Sequence, residues 1–81
     1  MTVSVQFFSW LKDVTGCARA TETVPARCTL DELYTALAAR FPGLAEAPKS
    51  ILMAVGVDYQ PRNYVLKDGD EVSLFPPVQG G

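Results

Sequence analysis

The residues whose types and spacing suggest chemistry stand together at positions 75 to 81, Phe75-Pro76-Pro77-Val78-Gln79-Gly80-Gly81. If Gly81 ends the chain, its α-carboxylate is held out on two residues without side chains, behind two prolines. Such a carboxylate, with a pKa of about 3.3 to 3.7, is ionised at neutral pH and its carbonyl resists attack. It must be activated before it can react. The same two glycines would also suit a frayed terminus or a cloning scar.

Other candidates for chemistry are few. The chain has no histidine, which removes the commonest general base and the commonest metal ligand. A self-contained hydrolase or a zinc site is therefore not expected. Cys17 and Cys28, ten residues apart, fit neither a C-x-x-C motif nor a zinc spacing, and two cysteines fall short of an iron-sulfur cluster. They read as small, partly buried thiols of a reducing cytoplasm. Asp68-Gly69-Asp70 lacks the loop pattern of a calcium site and reads as a turn, glycine tolerating the positive φ that tight turns demand.

Composition narrows the class further. Eighty-one residues make one domain, and 48% hydrophobic with 20% charged residues is a globular balance. Nine acidic and seven basic residues give a formal charge of -2 with no cluster of Lys or Arg, so no nucleic-acid partner is expected. The N-terminus has no signal-peptide pattern, and the longest apolar run, Ile51 to Val57, is far short of a membrane span. A soluble cytoplasmic protein without membrane partners is the expectation.

The elements that must position the tail follow from periodicity. Val3, Val5 and Phe7 alternate with Thr2, Ser4 and Gln6, a strand with one buried face, and Phe8 breaks the alternation. Ser9 is placed to cap a short helix through Trp10, Leu11 and Val14, ended by Gly16. Residues 18 to 24 predict a second, edge strand stopped by Pro25. Thr29-Leu30-Asp31-Glu32 is a capping box, and Leu30, Leu33, Tyr34, Leu37, Ala38 and Phe41 form one apolar helical stripe. Asp31, Glu32 and Arg40 complement the helix dipole, and Pro42-Gly43 ends the helix.

Residues 45 to 49 then predict a loop, and Ile51 to Val55 a strand covered on much of both faces. Residues 58 to 63 read as a surface loop, and Tyr64-Val65-Leu66 is too short to assign alone. Glu71 to Phe75 is the last strand, with Val72 and Leu74 on one face and Glu71, Ser73 and Phe75 on the other. If the first and last strands lie parallel and adjacent, Phe8 and Phe75 come side by side in an exposed apolar patch where the tail departs. Such patches mark partner surfaces. The alternative is a loop covering them, that of Tyr59 being the candidate.

This order of elements, the Asp68-Gly69-Asp70-Glu71-Val72 turn-and-strand and the closing Phe75-Pro76-Pro77-Val78-Gln79-Gly80-Gly81 resemble the MoaD/ThiS-type ubiquitin-like sulfur carriers, nearest to the small subunits of molybdopterin synthases. The resemblance runs over the whole chain, and the tail is its specific part. It implies an α+β, β-grasp fold: a mixed sheet of four to five strands on one main helix over residues 1–75, with a flexible extended tail over residues 76–81. It also implies a carrier in molybdenum cofactor biosynthesis, without a complete active site of its own, working in a hetero-oligomer. Gly81 would be adenylated by an ATP-using, E1-like partner and converted by a sulfur donor to a thiocarboxylate. The sulfur would then pass to a pterin precursor in the large synthase subunit. Gly80 would thread with Gly81, and Phe8, Tyr59, Phe75, Pro76, Pro77 and Val78 would form the docking surface. No bound cofactor is implied, ATP belonging to the partner enzyme.

Physical reasoning agrees with that chemistry. Adenylation supplies the leaving group that an ionised carboxylate lacks, and the chain has no phosphate loop with which to hold the nucleotide itself. Six residues beyond Phe75 reach at most about 20 Å, with the Pro-Pro segment extended at about 3.1 Å per residue. Glycines at the tip let the backbone enter a channel where side chains would clash. Three other readings stay open: a carrier for thiamine thiazole or another sulfur metabolite, a ubiquitin-like protein modifier, and a plain interaction domain with an inert tail.

Overall fold

The computed structural model describes residues 1–47 and 50–77. In chain order the elements are β1 (Thr2–Phe7), α1 (Leu11–Thr15), β2 (Arg19–Thr23), α2 (Leu30–Arg40), a 3-10 helix (Pro42–Glu46), β3 (Leu52–Val55), β4 (Asp58–Tyr59) and β5 (Glu71–Phe75). The strands form one mixed sheet in the order β2-β1-β5-β3-β4. β1 and β5 are its parallel pair, and the remaining pairings are antiparallel.

Alternation decides which face meets the helix. Val3, Val5 and Phe7 of β1, Met53 of β3 and Val72 and Leu74 of β5 are buried with Leu30, Leu33 and Leu37 of α2. Leu11, Leu44, Ile51 and Leu66 close the ends of this core. Tyr34, Ala38 and Phe41, the outer half of the helical stripe, are half-buried against it. Phe41 meets the Phe7 ring edge-on at 5.7 Å, an arrangement favoured by the ring quadrupoles. The capping box forms as expected: the Glu32 amide donates to Thr29 Oγ1 at 3.2 Å and the Thr29 amide to Glu32 Oε1 at 3.0 Å.

The Asp68-Gly69-Asp70 turn does more than reverse the chain. Gly69 takes φ +85°, and its amide donates to the Thr2 carbonyl, while the Thr2 amide donates to Asp68 Oδ1, both at 2.8 Å. The start of β5 is thereby tied to the start of β1. From that anchor the parallel register runs Ser4 with Glu71 through Phe7 with Leu74.

Three local expectations need correction, and one unassigned segment gains a partner. Ser9 does not cap α1 with its side chain; it adopts φ +57°, Trp10 is the capping residue, and the Ser9 carbonyl only accepts from the Lys12 amide. Ala45 and Glu46 are not loop but the end of the 3-10 helix Pro42–Glu46, which Pro42 at a first helical position seeds. Asp58 and Tyr59 are not loop but pair with Val55 and Ala54 across a tight hairpin. Val65, in the segment too short to assign from sequence, bridges Thr29 and so ties the segment to the start of α2. Each depends on a partner distant in sequence or on a turn too short to show periodicity.

Candidate functional site

The site is assembled where β1 and β5 end. The Phe8 amide donates to the Leu74 carbonyl at 3.1 Å, which carries the parallel ladder one residue past β1. Phe8 therefore falls beside Phe75, on the face away from the helix. The two rings stack with centroids 4.6 Å apart and planes 14° from parallel. Tyr59 approaches Phe75 edge-on at 5.9 Å. The Tyr59 strand borders this pair without sealing it, since Phe8 remains 37% and Tyr59 65% exposed. Pro76 and Pro77, both half-buried, lead the chain away from Phe75.

Of the residues singled out from the sequence, Phe8, Tyr59, Phe75, Pro76 and Pro77 are thus brought to one place. Val78, Gly80, Gly81 and the part of the expected flexible tail beyond Pro77 lie outside the described residues.

Three nearby residues were missed. Leu52 stands in register with Phe75 and shares its face, half-buried, with Ala54 next along the same face beside Tyr59. The signal was there: a strand apolar on both faces in a sheet with one helix must show half of its residues to something else. Trp10, two residues after Phe8, is also exposed, at 41%. Its spacing to Val14 suggests a helical face, but α1 is too short to bury both.

The chemistry available at this place is limited and specific. The exposed rings make an apolar face, while a cavity of 280 Å³ lies on the helix side, lined by Asp31, Tyr34, Leu44, Ala45, Ala47 and Arg62. The groups with displaced pKa values also belong to that side. Burial, reinforced by Glu32 and opposed by the N-terminal ammonium, pushes the Cys28 thiol above its ordinary value. Burial likewise raises the Tyr34 phenol, against the pull of Arg62, and the phenol donates to the Leu44 carbonyl at 2.6 Å. Cys17 and Cys28 are free thiols. Among the described residues no three His, Cys, Asp or Glu gather to hold a metal, and no helix is long and apolar enough to cross a membrane. The patch can bind a complementary apolar surface.

Comparison with known proteins places this geometry. Residues 5–81 match the ThiS family. The human molybdopterin synthase sulfur carrier subunit is 33% identical over 98% of this chain and 93% of its own length. A solved complex of subunits 1 and 2 of the molybdopterin-converting factor from Helicobacter pylori contains a chain 32% identical to this one. The match covers all of both chains, with a TM-score of 0.68. A protein from Pyrococcus furiosus, described as a putative subunit 1 of the same factor, superposes with a TM-score of 0.90 at 24% identity. It covers 96% of this chain and 99% of its own, and supports the ubiquitin-like β-grasp fold.

Proposed function

The chain belongs to the ThiS family, and on that premise we propose that it is the sulfur-carrying small subunit of a molybdopterin synthase. The observation that carries the reading is the stack of Phe8 on Phe75 at the root of the Pro-Pro segment. An apolar patch at that point lets a partner grip the domain and receive the chain that leaves it. The names of the relatives supply the pathway, and the pairing of subunits in the Helicobacter pylori complex supports a large subunit as partner.

In this reading Gly81 supplies the reacting carboxylate and Gly80 the slender approach to it. A carboxylate oxygen attacks the α-phosphorus of ATP on an adenylating partner, and pyrophosphate leaves. A sulfur donor at the oxidation level of sulfide then adds to the acyl carbon and displaces AMP, leaving a thiocarboxylate. The large subunit binds Phe8, Tyr59, Phe75, Pro76, Pro77 and Val78, and directs the sulfur to a pterin precursor in its own site. This chain holds neither ATP nor any other cofactor. It works in the cytoplasm, where reducing conditions keep Cys17 and Cys28 as thiols.

Intact-mass measurement tests the proposal. Incubated with ATP, a cognate adenylating enzyme and a sulfur donor, the chain should exchange one carboxyl oxygen for sulfur, and a chain lacking Gly81 should not. An unchanged mass with several cognate adenylating enzymes defeats the proposal. Conjugates to other proteins would point instead to a modifier, and sulfur accepted by a thiazole precursor to the thiamine pathway.

A further inference from the structure

We propose that the outer edge of β2 is a latent pairing site for a second copy of this chain, held shut by the side chain of Arg40. β2 is an outermost strand, and its hydrogen-bonding direction can be read residue by residue. Val24 and Met1 exchange backbone bonds, and the Phe7 amide donates to the Ala18 carbonyl at 2.9 Å. In an antiparallel ladder such pairs alternate with pairs that do not bond each other. With Thr21 opposite Ser4 and Glu22 opposite Val3, the polar backbone groups of Glu22 and Ala20 point to β1. Those of Arg19, Thr21 and Thr23 point outward.

An unguarded edge of this kind templates another strand. Here it is guarded from the helix. Arg40, in the last turn of α2, donates through Nη1 to the outward Thr21 carbonyl at 3.1 Å and to Glu22 Oε1 at 2.6 Å. Glu22 shares the helix-facing side with Val3, and its side chain is only 13% exposed. An incoming strand would have to displace the guanidinium from the central carbonyl of the edge and leave the Glu22 carboxylate, mostly out of water, without its cation.

The edge suits a second copy of itself. Two β2 strands paired antiparallel about Thr21 set Arg19 against Thr23 and Ala20 against Glu22, so no like charges stand directly opposite. The geometry is isologous and needs no other component. Five residues give a short ladder, so the dimer would be weak and set by the guard.

Sedimentation velocity on the full chain from micromolar to about 1 mM tests this. Wild type should stay monomeric, and Arg40→Ala should dimerise at concentrations at least about tenfold lower than any at which wild type does. In the variant's dimer the Thr21 and Thr23 amides should exchange hydrogen more slowly than in its monomer. Adding Thr21→Pro, which removes an outward N–H that an edge strand can spare, should restore the monomer. An Arg40→Ala chain as monomeric as wild type overturns the proposal. So does a dimer that leaves the Thr21 and Thr23 amides unprotected, or one that survives the proline. If the proline variant fails to fold, the amide exchange of Arg40→Ala decides.

Discussion

Phe7 and Phe8 are neighbours in the chain and opposites in the fold. Phe7 is 2% exposed, edge-on to Phe41 between sheet and helix; Phe8 is 37% exposed, stacked on Phe75 on the other side of the same sheet. Each ring pairs with another phenylalanine, one edge-on and one stacked, and the consequences differ. On the helix side an aromatic pair completes a closed core, and its value is spent within the domain. On the outer side the pair leaves part of each ring to water, and that remaining apolar area can still contribute to binding. The sheet separates a closed core from an exposed apolar face by one residue of register.

Phe7→Ala should break this contrast on the stability side. It deletes a buried ring and leaves a cavity, so chemical denaturation should register a loss of about 3–5 kcal/mol. A loss below about 1 kcal/mol would mean that the helix side can collapse around the gap and that the two faces are not distinct. Phe75→Asp should sharpen the contrast from the other side. Its ring is half-buried beneath two exposed neighbours, so folding should lose about 1–2 kcal/mol while affinity for a large synthase subunit falls at least about tenfold. Unchanged affinity with a Phe7-sized loss of stability would place Phe75 in the core and remove the outer face from recognition.

The smallest expected effect is a pH dependence confined to the helix side. Burial keeps the Cys28 thiol protonated in the fold, so its pKa there lies above the ordinary 9.0 that applies in the unfolded chain. Above pH 9 the unfolded chain gives up this proton first. Stability contributed by the neutral thiol is therefore complete below pH 9 and declines as pH rises past it. Tyr34 adds the same sign of effect from its ordinary value of 10.0 upward. In Cys28→Ala the decline between pH 9 and 10 should be shallower than in wild type. An identical slope in the two proteins would show that burial does not hold this thiol neutral.

Much of the helix side is legible in the sequence. The capping box of Thr29 and Glu32, the stripe from Leu30 to Phe41 and the alternation in β1 and β5 are patterns within one turn or one pleat. Their outcome depends mainly on whether an apolar face exists. The failures cluster where the deciding partner is remote or the element is a few residues long. Ser9 looked like a cap because its type suits one, but the chain turns there through φ +57° and leaves its hydroxyl out of the role. Tyr59 looked like loop because two residues cannot display a period; pairing with Ala54 makes it strand. Leu52 carried a signal that could be counted but not aimed, since nothing local says which face of β3 the helix covers.

The amino-acid sequence by itself determined the helix and its stop, the strand alternations, the absence of a histidine and the Pro-Pro and Gly-Gly pairs that single out residues 75 to 81. These follow from backbone sterics, capping and side-chain chemistry, which act over a few residues. Only the tertiary structure decided that β1 and β5 are parallel neighbours in a register set by the Asp68-Gly69-Asp70 turn on Thr2, across a separation of 66 residues. A register is a property of two strands together, and a shift of one residue would turn Phe75 into the core and Leu74 out of it. The patch at the root of the tail exists because that pairing, and no local preference, sets Phe8 against Phe75.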